Sequence, residues 1–286
     1  MKMIARASVI KAVMLILIVV LFGSSSLAQK PKTGSSLKNV ELCNGSNRVS
    51  PEARIDGCTA FIDAGEGSAN GFAVAHNNRG NAYSAKADYE RAIKDFIEAT
   101  RLNPNYAKAF NNLGVAYLRT GSHDLALGAF EEALKLNPNY GAAFANRASA
   151  HLRRNAYDRA AQDYDEALRL DPKLEAAWSG RCWARAVLGA LQAALEDCDM
   201  ALRSGAGNAA TYDSRALINL KLGQFSAAID DYNSALRFAP KLASALYGRG
   251  VARFKLGDID GGNSDIAAAR SIDAGIGEDF VRYGVP

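Results

Sequence analysis

The sequence predicts an all-α solenoid built from antiparallel helix pairs, and three observations lead there. First, residues 107–140 form a 34-residue unit, AKAFNNLGVAYLRTGSHDLALGAFEEALKLNPNY, that recurs on both sides of itself without a gap. Six copies begin at Ala73, Ala107, Gly141, Glu175, Ala209 and Ala243, and the last ends at residue 276. A fixed period of this length marks a stacked-repeat architecture. Second, small residues hold fixed places. Position 27 is Ala in every copy, position 20 is Ala until Gly262 in the sixth, and position 8 reads Gly80, Gly114, Ala148, Cys182, Ala216, Gly250. Third, Phe110, Leu113 and Tyr117 in the first half, and Phe130, Ala133 and Leu134 in the second, fall at helical spacing.

Each part of the unit has a reason. Gly121 divides the halves and suits the left-handed conformation that follows a helix end. Asn137-Pro138 closes the unit, because an Asx residue can cap the next helix and Pro tolerates its first turn. Small side chains at positions 8, 20 and 27 let the two helices approach closely. One helix pair cannot bury its own apolar face, so neighbouring pairs must stack.

At these residues the unit resembles a tetratricopeptide repeat, whose pattern is aromatic-x₂-Leu-Gly-x₂-Tyr followed by Ala, Phe, Ala and Pro. Phe110, Leu113, Gly114, Tyr117, Ala126, Phe130, Ala133 and Pro138 match it, and the resemblance covers residues 73–276. The fourth and sixth copies depart from it, with Arg185 and Arg253 in place of Tyr and Ala206 and Ala274 in place of Pro. The resemblance implies a right-handed superhelical solenoid; the alternative is a helical bundle with accidental periodicity.

The remaining segments follow in order. Lys2, Arg6 and Lys11 precede an apolar run over 12–22, too short for a membrane span, and Ser26-Leu27-Ala28 supplies the small residues a signal peptidase needs. Residues 1–28 thus read as a signal peptide cleaved after Ala28, with no Cys next to it for a lipid anchor; the alternative is an uncleaved anchor. Residues 29–38 read as a flexible leader and 39–72 as an N-terminal capping segment or degenerate repeat. Within the latter, Ser50-Pro51-Glu52 starts a helix that runs to about Ala64, and 65–71 is a loop. The six repeats are 73–106, 107–140, 141–174, 175–208, 209–242 and 243–276. The Gly-rich 204–207 makes a permissive junction. Residues 277–286 form a C-terminal cap, with a short helix over 278–283 and Phe280 covering the apolar edge of the last repeat.

Charge and chemistry exclude several functions. The formal charge of +4 falls to +1 without residues 1–28, so no dense basic face points to nucleic acid. The cysteines form two local pairs, Cys43/Cys58 and Cys182/Cys198; the second joins positions 8 and 24 of one repeat, on facing helices. Behind a signal peptide they read as two disulfides, each closing a loop of about 15 residues worth ~3 kcal/mol in the chain-entropy model; the alternative is four buried free thiols. His76, His123 and His151 are scattered, with His76 and His151 at packing positions. No metal cluster, cofactor motif or catalytic constellation stands out, and Asp230-Asp231 points its carboxylates apart. The expectation is a non-enzymatic protein without cofactor.

In the family, positions 2, 5, 9 and 12 of the first helix line a concave groove that binds extended or helical peptides. The early copies place Asn77, Asn81 and Asn111 there. The later ones place Trp183, Leu217, Leu220, Tyr247, Val251 and Phe254, which suggests exposed apolar surface. Arg119, Arg153, Lys221 and Lys255 at position 13 edge the groove with positive charge. Asn78, Asn112 and Asn146 at position 6 form a ladder whose amides could pair with a peptide backbone, and it stops where Gly180, Ser214 and Gly248 take over. The basic clamp that some members use for a C-terminal dicarboxylate is absent, since Asn77 stands where it has Lys. Arg79, Arg147, Arg181, Arg215 and Arg249 at position 7 accompany Asp95, Asp163, Asp197, Asp231 and Asp265 at position 23, whereas Leu113 accompanies Ala129. That match predicts ion pairs within each repeat. The functional expectation is a periplasmic or secreted adaptor holding a protein or peptide segment in its groove, with no membrane span after cleavage. The alternative is self-association as a structural component of the cell envelope.

Overall fold

The computed structural model describes residues 33–45, 49–205 and 207–285, with side chains from Leu37 onward. The signal-peptide reading and Ala206 of the Gly-rich junction lie outside them. Among the described residues there are fifteen α-helices and no strand. They are α1 (Thr33–Asn44), α2 (Pro51–Ala64), α3 (Ala69–Ala85), α4 (Tyr89–Leu102), α5 (Ala107–Arg119), α6 (His123–Leu136), α7 (Gly141–Arg153) and α8 (Tyr157–Leu170). They continue with α9 (Glu175–Val187), α10 (Leu191–Arg203), α11 (Ala209–Lys221), α12 (Phe225–Phe238), α13 (Ala243–Lys255), α14 (Ile259–Ile272) and α15 (Ile276–Arg282). From the second copy on, each repeat starts at the first residue of a helix. None of these helices is long and apolar enough to cross a membrane.

The stacking is asymmetric. Each odd-numbered helix from α1 to α13 packs on the next odd-numbered one as well as on its own partner, whereas the even-numbered helices do not touch one another. The odd-numbered helices therefore line the inner, concave face of the all-α solenoid and the even-numbered ones its outer face. The pair α1/α2 behaves as a further repeat, joined by Cys43–Cys58 with Cα atoms 4.5 Å apart. Two expectations change here. Helix α1 begins inside the proposed leader, and α3 begins four residues before the first repeat because Ser68 caps it, its Oγ accepting from Gly71 N at 3.0 Å. The α2 expectation holds: Ser50 Oγ accepts from Ala53 N at 3.2 Å, and the helix ends at Ala64. The closing Asx residues do not cap the next helix. Asn103, Asn137, Asp171 and Asp273 each accept from the backbone N–H two residues on, which makes an Asx turn.

Small residues sit where close approach demands them, and Ala99, Ala133, Ala167, Ala201, Ala235 and Ala269 are all fully buried. A β-carbon at Gly80 or Gly114 would overlap the ring of Phe96 or Phe130, the position-24 side chain of the same repeat. Where position 8 is Ala, as at Ala148 and Ala216, position 24 is Tyr. The hydroxyls of Tyr164 and Tyr232 then reach into the next repeat, where a β-carbon at Gly180 or Gly248 would overlap them. In the fourth repeat the same contact is covalent: Cys182 and Cys198 are bonded, with Cα atoms 5.3 Å apart.

All five position-7 arginines pair with the position-23 aspartate of their own repeat through two hydrogen bonds each. Arg147, for example, donates from Nε and Nη2 to Asp163 at 2.8 and 2.7 Å. A second contact reaches the preceding unit: Arg181 Nη1 to Asp165 at 2.7 Å, Arg215 Nη1 to Asp199 at 2.8 Å, Arg249 Nη1 to Asn233 Oδ1 at 2.8 Å, and Arg79 Nη1 to Thr59 Oγ1 at 3.0 Å. The residues that replace Tyr at position 11 point at the same carboxylates. Arg185 reaches Asp197, Asn219 reaches Asp231 and Arg253 reaches Asp265, each at 2.9 Å. His76 also joins Asp95 at 2.9 Å. Burial pulls the Asp95 carboxyl up, but the hydrogen bonds from Arg79 and His76 outweigh it and hold it below the usual carboxylate range.

Two predictions follow from this packing. Arg147→Leu and Asp163→Ala should each cost about 1–3 kcal/mol, and the double variant should cost less than the sum of the two, because each single change strands a charge. Thermal unfolding of the three variants checks this, and simple additivity rejects it. Ala87 adopts φ 59° at the turn where Gly121, Gly189, Gly223 and Gly257 stand in other repeats. Ala87→Gly should therefore stabilise by about 1 kcal/mol, raising Tm by about 2–4 °C.

Candidate functional site: the concave groove

The inner face is divided between two occupants. Along α9, α11 and α13 it is covered by the chain's own C-terminus. Phe280 packs on Tyr247 with ring centroids 4.7 Å apart, and Tyr283 meets Trp183 edge to face at 4.9 Å. Ile276, Phe280 and Val285 are buried in one cluster with Leu217, Leu220 and Leu246, against which Trp183, Tyr247 and Val251 also pack. Phe280 thus covers the inner face of the sixth repeat, and the segment continues back over the fifth and fourth.

This changes the expectation for the later copies. Leu217 and Leu220 are buried rather than presented to solvent, and Trp183, Tyr247 and Val251 are half-buried under the C-terminal segment. Phe254 packs toward the partner helix, against Gly262 on α14, where the small position-20 residue leaves room for its ring. Of the four position-13 cations, Arg119, Arg153 and Lys255 are exposed. Lys221 turns away from the edge: its Nζ donates to the Ala186 carbonyl, in the last turn of α9, at 2.8 Å, and burial lowers its pKa.

The asparagine ladder forms, but it is spent internally. Asn146 Nδ2 donates to Asn111 Oδ1 at 2.9 Å, Asn112 Nδ2 to Asn77 Oδ1 at 2.8 Å, and Asn78 Nδ2 to Asn44 Oδ1 at 3.0 Å and the Cys43 carbonyl at 3.2 Å. Each position-6 amide ties its repeat to the one before. Asn77 and Asn111 are buried by these contacts, while Asn81 stays half-exposed. The ladder ends at Gly180 because the Tyr164 hydroxyl, 3.0 Å from Ser149 Oγ, occupies the space a fourth amide would need.

Between the C-terminal segment and the inner helices lies a cavity of about 590 Å³, with walls from α7, α9, α11, α13 and α15. It brings together Arg153 and Trp183, both expected in the groove, with Ser149, Asp213, Ser244 and Tyr283, which were not. Asp213 is its most unusual member. Oδ2 accepts from Ser244 Oγ at 2.7 Å, whereas Oδ1 is buried without a hydrogen-bond partner. Burial, offset only in part by the Ser244 hydroxyl, pushes its carboxyl up to about 7. The neighbouring Tyr232 hydroxyl is also buried without a partner, and burial, followed by the Asp213 charge, raises its pKa well above 10. Asp213 had a legible signal: it is the sole charged residue at position 5, where other copies carry Asn77, Asn111, Ala145, Ser179 and Tyr247.

Known proteins agree with this architecture. A tetratricopeptide repeat model matches residues 77–141, 124–175 and 145–209, and a second model of the same repeat matches 217–257. The chain belongs to the tetratricopeptide repeat family. Among solved structures, a tetratricopeptide repeat protein from Parabacteroides merdae aligns at TM-score 0.62 and 16% identity, over 88% of this chain and 99% of that one. The pilF protein of Pseudomonas aeruginosa aligns at 0.60 and 18%, over 74% and 95%. YrrB, a tetratricopeptide repeat protein described as having an unusual peptide-binding site, aligns at 0.51 and 16%, over 66% and 95%. At these identities the likeness is one of fold. No curated protein matches the chain.

The buried carboxyl makes stability pH-dependent. A carboxyl whose folded pKa lies above its unfolded value near 4 binds its proton more tightly when folded, so its contribution falls as pH rises through about 4 to 7. Asp213→Asn should therefore raise Tm at pH 8, and the gain should vanish near pH 5, where the parent carboxyl is protonated. Thermal melts at the two pH values check this.

Proposed function

We propose that the protein is a non-enzymatic adaptor that holds a segment of a partner protein in the concave groove, beside its own C-terminal segment. The observation that carries this reading is the cavity of about 590 Å³ on the inner face, between the C-terminal segment and α7, α9, α11 and α13. A cavity of this size, whose walls mix apolar side chains such as Leu152, Trp183 and Ile276 with hydroxyl and charged groups, has the form of a ligand site. The C-terminal segment supports the same reading, because an aromatic-anchored stretch of chain already lies against the inner helices. The solenoid is tied together within and between repeats by guanidinium and amide contacts, so the groove is preorganised and little ordering opposes binding. YrrB is described as binding peptide on a related scaffold. The proposed location is periplasmic or secreted, supported by the basic-apolar start of the chain and by two disulfides, which persist in oxidising compartments.

Site-specific photo-crosslinking in cells tests the reading. A photoreactive residue at Ser149 or Leu152, in the cavity wall, should capture a partner protein, whereas one at Ile97 or Leu125, exposed on outer helices, should not. Capture from outer positions alone rejects the groove, and adducts containing only this chain favour self-assembly.

A further inference from the structure

We propose that residues 276–285 are a displaceable cover, and that the partner segment which replaces them is an acidic amphipathic helix with two aromatic anchors one turn apart. The proposal rests on the groove reading and extends the site from the open cavity to the part of the inner face that the C-terminus covers.

Three observations carry it. The first is how the cover is held. Among the described residues, every hydrogen bond and ion pair made by 276–285 ends within the segment or on the turn before it. Glu278 N donates to the Gly275 carbonyl, Tyr283 N to that of Asp279 and Val285 N to that of Phe280, each at 2.9 Å, and Arg282 pairs with Asp279. None reaches α7, α9, α11 or α13, whereas the repeats are joined to one another by guanidinium and amide bonds. Directional bonds select one partner; apolar contact is non-directional, so another chain that brings similar rings to the same places satisfies the same surface.

The second is loose seating. A packed interior leaves few voids larger than a water molecule, yet the cavity of about 590 Å³ lies directly against the segment, with Ile276, Asp279 and Tyr283 in its wall. The seven residues of α15 are too few to hold a helix by themselves in water. The tether is Asp273-Ala274-Gly275, with Ala274 where four other repeats carry Pro, so neither a proline ring nor a side chain at 275 stiffens it.

The third is what the covered surface selects. Phe280 and Tyr283 lie three residues apart on one face of α15, and their rings meet Tyr247 on α13 and Trp183 on α9. A helix with the same spacing of rings fits those contacts. Around them stand cations that the cover leaves unmatched. Arg153 and Lys255 are exposed with no hydrogen bond or ion pair among the described residues, and Lys221 Nζ, bonded to the Ala186 carbonyl, lies against Gly284. Within the segment Asp279 is engaged by Arg282, which leaves Glu278 as its one unpaired acid. A more acidic helix matches the rim better than the cover does, and that advantage opposes the tether's high effective concentration.

Two tryptophans make the test direct. Trp183 meets the cover, whereas Trp178 donates its indole N–H to the Pro172 carbonyl at 3.0 Å and reports that the chain is folded. In the full-length chain labelled with ¹⁵N in its indoles, Phe280→Ala with Tyr283→Ala should shift the Trp183 resonance and leave Trp178 in place. Tyr283→Ala alone, which removes only a half-buried ring, should shift it in the same direction. An acetylated peptide of residues 274–286 should return the Trp183 resonance of the double variant saturably toward its parent position. It should bind the parent chain roughly tenfold more weakly, because there the tethered cover competes. The peptide lacking both rings should not bind, and the peptide carrying Arg282→Glu should bind the double variant more tightly, an advantage that fades in high salt. Equal binding to parent and double variant, binding of the ringless peptide, or no saturable Trp183 shift overturns the cover. Equal or weaker binding of the Arg282→Glu peptide overturns the acidic assignment. A parent chain that is a dimer by light scattering, and a monomer as the double variant, assigns the cover to a second copy and overturns its displacement by another protein. Crosslinking from Ser149 tells the two readings apart: capture of a partner that does not rise in the double variant overturns the cover with the groove intact, whereas capture from outer positions alone overturns the groove.

Discussion

The arginine at position 7 is the point on which the stack depends. Its guanidinium holds the position-23 aspartate of its own repeat with two donors and, in the first, fourth, fifth and sixth repeats, offers a third to an acceptor on the preceding outer helix. One planar, permanently charged group thus fixes the register of a helix pair and its docking on the next. The net stability from such a buried pair is small, because desolvation offsets much of the attraction; what it supplies is a unique register. The second repeat shows the alternative: Leu113 and Ala129 replace the pair with buried apolar contact, and its link to the neighbours passes to Asn111 and Asn112 instead.

A second constraint couples three positions that lie far apart in the sequence. Gly at position 8 lets an aromatic ring at position 24 tuck beneath it within the repeat. Ala at position 8 goes with a position-24 Tyr whose hydroxyl projects into the next repeat, and that repeat must then carry Gly at position 6. Where position 6 is Gly there is no amide to reach back, so the asparagine ladder and the tyrosine hydroxyls are mutually exclusive ways of joining repeats. The ladder's length is therefore set by where Phe gives way to Tyr, at Tyr164.

These rules explain what the sequence made legible. The period, the helix pairs, the ion pairs within repeats and the cysteine pairing all depend on contacts that recur, so comparing copies exposes them. Contacts that do not recur were hidden. Helix α1 lacks the repeat pattern, so its first turns resemble a polar leader in sequence. The internal use of Asn78, Asn112 and Asn146 could not be seen because an amide that bonds its neighbour looks the same in sequence as one that waits for a peptide. The exposed apolar groove expected from Trp183, Leu217 and Tyr247 is covered for a tertiary reason: residues 276–285 fold back over three repeats, and nothing in a 34-residue period encodes a segment that occurs once.

That fold-back gives the inner face its chemical character. A solenoid of this kind offers a continuous groove, and here the apolar part is already filled by Phe280, Tyr283 and Val285, while the Asn-rich part is tied up between repeats. What remains open lies between these two regions, where the third, fourth and fifth repeats meet the C-terminal segment. At that place the chain departs from its own pattern by setting a lone carboxyl at position 5 and supplying one hydroxyl to it. Packing alone would favour an apolar or amide side chain there, as the other copies show at Asn111, Ala145 and Tyr247. A buried carboxyl with its pKa raised gives up stability at neutral pH and above that an amide in the same place would keep, so position 5 of the fifth repeat departs from the packing rule the other copies follow.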